Sequence, residues 1–166
     1  VSMDSDGDWV VAGSSNGTVR VWNAATLSEQ IITGPSGSSS TFGQAVAISG
    51  TKMIVGDPNA GTVGYVYVYT LSGSTWGSPV AIDVNAESGG VGANRIGAWT
   101  NASFGGGQWL DISGNHIIIG VPNEGNTDGN GGGRVVWMAD ASGGAWTNIN
   151  AGRFDEPNTW GGRFGA

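Results

Sequence analysis

Short apolar runs separated by polar turns recur three times along the chain. Each copy has an apolar run, a turn of two to five residues, and a second apolar run that ends in glycine. A glycine-rich loop follows, and then a third run of alternating, β-branched and aromatic residues, which strands prefer. The first runs begin at Val1, Val46 and Leu110. Because no stretch has a helical period, the pattern predicts an all-β chain built from hairpins.

A weaker fourth run completes each copy, at residues 29–32, 79–82 and 146–149. The first runs start 45 and 64 residues apart, and a Gly- and Asn-rich insert between Asn85 and Ser103 accounts for the longer spacing. Four short strands repeated in this way are typical of β-propeller blades, which take roughly 40–50 residues each. A β-sandwich of irregular hairpins is the alternative, and the threefold match argues against it.

Phenylalanine and glycine recur at fixed places in the second and third copies. The motif residues are Phe42-Gly43, Gly56-Asp57-Pro58, Phe104-Gly105 and Gly120-Val121-Pro122. This arrangement resembles the FG-GAP repeat, a β-propeller family. The first copy departs from it with Gly13-Ser14-Ser15, and its residues 14–23 resemble a tryptophan–aspartate repeat, another propeller family. Both resemblances imply propeller blades, which serve as adhesion heads, lectins, scaffolds and virion parts.

The predicted blades cover approximately residues 1–40, 41–102 and 103–166 of a single repeat region, 1–166. Three blades are too few to close a ring, since propellers typically use about 4–8. We therefore expect part of a larger propeller, either as blades of a longer chain or as a multi-chain assembly. In the family, Phe-Gly sits where one blade crosses to the next. We expect six aromatic residues to pack between blades: Phe42, Phe104, Phe164, Trp22, Tyr69 and Trp137.

Composition narrows the classes of function. The net charge of −7, from 6 Lys and Arg against 13 Asp and Glu, argues against binding to nucleic acid. The absence of cysteine excludes disulfide frameworks, thiolate zinc sites and cysteine nucleophiles. His116 is the lone histidine, which argues against triads and multi-histidine metal sites, and we expect it at a surface turn. No apolar stretch is long enough for membrane insertion.

Calcium is the one cofactor that the sequence suggests. Glu124, Asn126 and Asp128 place oxygen atoms at loop positions 1, 3 and 5, with Gly129 at position 6, as an EF-hand loop begins. The bidentate Glu of position 12 is missing, so a solvated loop without any cofactor is the alternative. Residues 4–8 also hold three carboxylates, but their Asp-Gly pair is typical of a tight hairpin turn.

Three tryptophans lie outside the predicted strand cores, beside polar or Gly-rich stretches. Exposed aromatic rings stack on sugars, and their polar edges hydrogen-bond. This makes Trp99, Trp109 and Trp160 candidate ligand-binding residues. Packing between blades is the alternative for each ring.

Taken together, these features predict a non-enzymatic structural or recognition module of a secreted, cell-surface or virion protein. It would act by adhesion or assembly through the loops at residues 87–102 and 124–133, with a protein or glycan as partner. Self-assembly or the remainder of a longer chain would supply further contacts. A lectin-like propeller and a protein-interaction scaffold are the alternatives. An enzyme would need convergent carboxylates, and the sequence marks no such pair.

Overall fold

The computed structural model describes residues 2–61, 64–83, 109–124, 132–140 and 146–150. Within these ranges the chain forms three antiparallel sheets and no helix. The prediction of an all-β chain made of blade-like repeats is therefore confirmed.

Each sheet is a meander of consecutive strands. The first sheet has the order β1 (Met3–Ser5), β2 (Trp9–Gly13), β3 (Thr18–Asn23) and β4 (Glu29–Thr33). The second contains β5 (Ala45–Ser49), β6 (Lys52–Asp57), β7 (Tyr65–Ser72) and β8 (Thr75–Trp76), and β9 (Val80–Asp83) also pairs with β7. The third contains β10 (Leu110–Ser113), β11 (His116–Glu124), β12 (Gly132–Asp140) and β13 (Trp146–Asn150).

Glycines in left-handed conformations close the first hairpin of each sheet. Gly7, Gly50 and Gly114 have φ values of 97°, 58° and 55°, a region that side chains other than glycine seldom adopt. In the first hairpin, the Asp6 carboxylate also accepts hydrogen bonds from the backbone N–H groups of Asp8 and Trp9. Residues 4–8 therefore form the hairpin turn that their sequence predicts.

The second sheet lies between the other two and is buried on both faces. In β5, Ala45 and Ala47 join an apolar cluster with the third sheet, whereas Val46 and Ile48 join a cluster with the first. Alternate side chains of a strand point to opposite faces, so both faces of one strand must be apolar here. The same division continues in β6 and β7, which makes the second sheet the core of the described structure.

The crossing from the first to the second sheet explains the Phe-Gly pair. Phe42 is completely buried between these sheets, and its ring centroid lies 5.7 Å from that of Tyr67. Gly43 follows with a φ of 87°, and its backbone contacts Gly13 so closely that a Cβ at position 13 would overlap the Gly43 carbonyl oxygen. The ring fills the space between the sheets, and two glycines let the backbones meet.

The aromatic packing predictions divide into three groups. Phe42 and Tyr69 are buried between the first and second sheets, as expected. Trp22 is half-buried and Trp137 is 45% exposed, on the outer faces of the first and third sheets, where the described residues include no neighbouring sheet, so their packing between blades stays a prediction. Alternation along β3 and β12 directs these rings away from the second sheet. Phe104 and Phe164 lie outside the described residues.

Candidate functional site

The first strands of the sheets meet edge to edge along the centre of the stack. Ser2, Asp4 and Asp6 alternate along one side of β1, and each accepts a hydrogen bond from a backbone N–H of the β5 segment. The donors are Val46 to Ser2 Oγ at 3.1 Å, Ile48 to Asp4 Oδ2 at 2.9 Å and Gly50 to Asp6 Oδ2 at 2.6 Å. These side chains thus accept the N–H groups along the edge of β5, where no neighbouring strand supplies backbone acceptors.

One bond of this kind also joins β5, the first strand of the second sheet, to the segment of β10, the first strand of the third sheet. Hairpin register places Ser49 of β5 at the position of Asp6, and its hydroxyl accepts a hydrogen bond from the N–H of Gly114 at 3.1 Å. At the other two positions, the second sheet has Ala45 and Ala47, which pack on apolar residues of the third sheet. Leu110, at the start of β10, lies against Gly56, the register partner of Ala45, while Gly114 beyond its end bonds Ser49, so all three first strands run in the same direction.

This alignment gathers the longer connections at one end of the sheets. The described members are residues 34–44 and 58–61, together with the tight turn 14–17. We call this the connection end. Asp83 is paired with Tyr65 there, and Glu124 with Gly132. The strands β9 and β11 therefore end at the connection end, and the two predicted recognition loops follow them in the sequence, largely outside the described residues.

Asp57 is the buried charged residue of the described structure, and it organises this end. Its carboxylate accepts hydrogen bonds from the Ser39 N–H at 2.6 Å, from the Ser39 hydroxyl, and from the Thr41 hydroxyl at 2.8 Å. These bonds hold the segment that leads into Phe42. Burial raises the pKa of Tyr67, and the negative charge of Asp57 raises it further. The carboxylate is thus engaged in structure, with hydroxyl and amide donors around it.

An open groove lies at the opposite end, between the first and second sheets. It has a volume of about 400 Å³, and its lining residues are Trp9, Ser28, Glu29, Gln30, Ser74 and Thr75. The Gln30 amide bonds both backbone groups of Trp76, at 2.9 Å each, and Glu29 pairs with Arg20 at 2.7 Å. The groove residues thus fasten the two sheets together, and their arrangement includes no paired acid and base.

The predicted site residues fall partly within the described structure. Trp109 is half-buried immediately before β10, at the connection end, while Trp99 and Trp160 lie outside the described residues. Glu124 ends β11, and its proposed calcium-loop partners Asn126 and Asp128 also lie outside them. Among the residues that are described, no three acidic or histidine side chains converge where they could hold a metal ion.

His116 begins β11 beside the turn, as its sequence position suggests, and its ring centroid lies 6.0 Å from that of Trp137. The described strands and turns include no apolar helix of membrane-spanning length.

A family model for the FG-GAP repeat matches residues 28–69. The match includes the buried Phe42, the left-handed Gly43 and the hydrogen-bonded Asp57. Residues 28–69 are thus similar to an FG-GAP repeat. Such repeats are generally non-catalytic units of propeller-type interaction modules, typical of extracellular proteins. No curated protein matches the chain.

Sequence reasoning missed the edge contacts of Ser2, Asp4 and Asp6. Their alternation was visible as three polar side chains at every second position before a hairpin turn. An edge strand that presents oxygen atoms on one side has the pattern needed to accept N–H groups from a neighbouring edge. The FG-GAP motif residues, by contrast, were all visible because glycine and proline mark the crossing directly.

Proposed function

We propose that this chain is a non-catalytic recognition module that binds a protein or glycan with its connection end. The observation that carries the proposal is the shared direction of the first strands, which gathers the longer connections on one side of a rigid stack. Binding residues are disproportionately found on loops held by such a scaffold. The predicted recognition loops, 87–102 and 124–133, follow β9 and β11 in the sequence, and both of these strands end here.

Two further features support a binding role over catalysis. The buried Asp57 accepts three hydrogen bonds from Ser39 and Thr41, so it is engaged in positioning the Phe42 crossing. The low fraction of charged residues, 11%, and the FG-GAP repeat are in keeping with a secreted, cell-surface or virion location. Adhesion or assembly on an exterior surface is the function we infer from them.

The test is binding of the fluorescently labelled chain to intact cells and to a glycan array. We expect signal for the full chain and its loss when residues 87–102 are replaced by a short Gly-Ser linker. The matched control carries Ser74→Ala and Thr75→Ala at the opposite end and should bind as the full chain does. Circular dichroism and thermal melting of all three proteins separate lost binding from lost fold.

A second deletion keeps the proposal open to refutation if the first variant fails to fold. Replacement of residues 125–131 removes the other predicted loop and leaves β11 and β12 intact. Failure of the full chain to bind any cell surface or glycan would overturn the proposal. Unchanged binding by folded proteins that lack both loops would overturn it as well.

Carbohydrate is the second candidate ligand, and the position of Trp109 favours it. Trp109 is half-buried at the connection end, and its ring is the part of the residue on which a sugar would stack. We expect Trp109→Ala to weaken glycan binding about tenfold, because one stacked ring contributes on the order of 1 kcal/mol. Trp22→Ala is the control, since Trp22 is also half-buried but lies away from this end. Equal losses in the two variants would exclude Trp109 as a sugar contact.

A further inference from the structure

Three polar side chains from different elements meet where the second sheet packs on the third. Lys52 begins β6, Asn115 lies in the turn between β10 and β11, and Asp140 ends β12. Lys52 Nζ lies 3.1 Å from Asn115 Oδ1 and 3.1 Å from Asp140 Oδ2. We call these three residues the lysine cluster. An amine in contact with a carboxamide and a carboxylate has the groups that amide transfer needs, which are a nucleophile, an acyl donor and a proton carrier.

Backbone hydrogen bonds hold the turn of Asn115 beside both of its partners. The N–H of Gly114 donates to Ser49 Oγ at 3.1 Å, and Ser49 is the register partner of Lys52 in the hairpin of β5 and β6. The N–H of Asp140 donates to the backbone carbonyl of Asn115 at 3.0 Å. The fold thus fixes the backbones that carry the lysine cluster, and this lowers the entropic cost of bringing its side chains together.

The surroundings of the ammonium group exclude much of the solvent. The side chains of Lys52 and Asp140 are 16% and 12% exposed. The ring of Trp146, a buried residue, has its centroid 6.0 Å from Lys52 Nζ. Partial exclusion of water keeps the reacting groups in direct contact and limits hydrolysis of the carboxamide as a competing reaction. Asn115 itself is exposed, so ammonia released from it has a direct path to solvent.

We propose that the lysine cluster forms an intramolecular amide bond between the side chains of Lys52 and Asn115. Asp140 accepts a proton from the Lys52 ammonium, and the amine nitrogen attacks Asn115 Cγ, which is bonded to the oxygen that Lys52 contacts. A new C–N bond forms, and the bond from Cγ to the former carboxamide nitrogen breaks. That nitrogen takes two protons by way of Asp140 and leaves as ammonium. The third lysine proton stays on the new amide, so the reaction balances without an oxidant or other co-reactant.

The bond ties β6 to the turn between β10 and β11, and therefore the second sheet to the third. The chain has no cysteine, so a disulfide cannot supply a covalent tie of this kind. Lys52 and Asn115 are 63 positions apart, and joining them restricts the unfolded chain, which stabilises the fold. The reaction follows folding, because folding brings the groups together. Freshly folded protein therefore still contains the ion pair of Lys52 and Asp140.

The lysine cluster lies at the hairpin-turn ends of β5, β6, β10 and β11, opposite the connection end. The proposed bond is therefore independent of the recognition loops. It can fail without affecting the proposed function, and the reverse holds too.

The experiment is intact mass spectrometry of the purified full chain, freshly folded and after incubation at neutral pH. We expect the mass to fall by about 17 Da, the mass of ammonia, as the amide forms. Lys52 is the only lysine of the chain, and trypsin does not cleave after a lysine whose side chain is an amide. A digest should therefore contain residues 21–95 uncut and joined to residues 96–134. A chain that keeps its full mass would overturn the proposal.

Two variants identify the bonded residues. Lys52→Arg keeps a positive charge beside Asp140 but lacks the amine, and Asn115→Ala lacks the carboxamide, so both should keep their full mass. Asn59→Ala is the matched control, because Asn59 is also an exposed turn residue but lies away from the lysine cluster, and it should lose ammonia as the unmodified chain does.

Other reactions of the same groups give different results. A loss of about 17 Da that persists in Lys52→Arg would indicate ring closure of Asn115 onto its own backbone, and would overturn the proposal. A loss of about 18 Da with Lys52 joined to Asp140 would indicate release of water, and would overturn the choice of Asn115 as the acyl donor.

Asp140→Ala tests the proton transfer. A positioned acid–base group accelerates a reaction about 10²–10⁴-fold, so we expect ammonia loss to slow at least about a hundredfold. Asp111→Ala, at an exposed acid of the same sheet, is the control and should react at the unmodified rate. Circular dichroism checks that each variant folds, and Asp140→Asn gives the same comparison if the alanine variant does not. An unchanged rate without the Asp140 carboxylate would overturn its role in the reaction.

Discussion

The interface between the first and second sheets is aromatic and hydrogen-bonded, whereas that between the second and third is mostly aliphatic. The first contains Trp9, Phe42, Tyr67, Tyr69 and Trp76, and the described part of the second has Trp146 alone among aromatic residues. Side-chain oxygens of β1 bind the edge of β5, while alanines occupy most of the corresponding places in β5. The same arrangement of strands is therefore compatible with an aromatic, hydrogen-bonded interface and with an aliphatic one. Equivalent residues of the repeats occupy the same places in their sheets although their residue types differ.

The largest expected difference concerns two glycines at equivalent positions. A Cβ at Gly13 would overlap the carbonyl oxygen of Gly43, whereas a Cβ at Gly56 would lie 3.0 Å from Cδ1 of Leu110. Backbone cannot move aside without shifting the crossing, but the end of a leucine side chain can. We expect Gly13→Ala to lower the free energy of unfolding by about 3 kcal/mol or more, and Gly56→Ala by about 1 kcal/mol.

Urea unfolding of the two alanine variants measures this difference. If Gly13→Ala does not fold at all, its failure beside a folded Gly56→Ala gives the same ranking. Equal losses of stability would mean that the Gly13–Gly43 contact is no tighter than its counterpart, and the contrast between the interfaces would not extend to the backbone.

The crossing from the first to the second sheet contains a buried carboxylate, that of Asp57. The corresponding residue in the third copy is Val121, in Gly120-Val121-Pro122. Asp57→Ala leaves the Ser39 N–H and one of the two hydroxyls of Ser39 and Thr41 without their acceptor in a partly buried place, so we expect a loss of about 3 kcal/mol in the free energy of unfolding. Asp8→Ala, at an exposed turn, is the control and should stay within about 0.5 kcal/mol. A loss under about 1 kcal/mol for Asp57→Ala would show that these bonds do not hold the crossing.

Alkaline pH should destabilise the aromatic interface. Burial raises the pKa of Tyr69, and the neighbouring Tyr67 raises it further. Above pH 10.0, the usual value, the unfolded chain releases these protons while the folded chain retains them, so stability falls as pH rises. Each tyrosine contributes a loss of up to about 1.4 kcal/mol per pH unit between its unfolded and folded pKa values.

Denaturant unfolding at increasing alkaline pH, with Tyr69→Phe as the comparison, measures this effect. Phenylalanine has no proton to release, so the variant should lose stability less steeply above pH 10.0. Parallel curves for the two proteins would mean that other groups cause the alkaline loss.

The polar edge bonds should contribute less than the buried groups. Asp4→Ala removes the acceptor for the N–H of Ile48, and water can partly replace it, so we expect a loss of about 1 kcal/mol. Asp111→Ala, at the equivalent position of the third sheet, should change monomer stability by less than about 0.5 kcal/mol. Thermal unfolding measures both. Equal effects would show that Asp4 acts mainly within its own strand.

Local features of this fold were predictable from the sequence, and contacts between sheets were not. The alternation of apolar and polar residues and the Gly-containing turns predict each hairpin, because residues close in sequence determine its structure. Phe42-Gly43 predicts the crossing between sheets in the same way. The partners of Asp4 and Asp6 lie 44 residues away, so a cluster that looks like a candidate cation loop proves to accept backbone N–H groups. Trp137 shows the same limit, since its strand pattern does not say whether another sheet covers that face.

The smallest expected difference separates an ion pair between sheets from one within a sheet. Lys52 Nζ on β6 lies 3.1 Å from Asp140 Oδ2 on β12 and also donates to Asn115 Oδ1 at 3.1 Å. Arg20 and Glu29 pair at 2.7 Å on neighbouring strands of the first sheet, with 48% and 33% of their side chains exposed. We expect Lys52→Met to cost about 0.5–1 kcal/mol and Arg20→Met to change little, because exposed pairs contribute little.

Unfolding of the two methionine variants at low and high salt identifies the charge contribution. The loss caused by Lys52→Met should shrink as salt rises, since screening weakens the pair that the variant lacks. Methionine retains most of the apolar stem, so packing changes are small in both proteins. A larger loss for Arg20→Met would contradict the expected ranking, because it would place more energy in a contact within one sheet than in the contact that ties two sheets together.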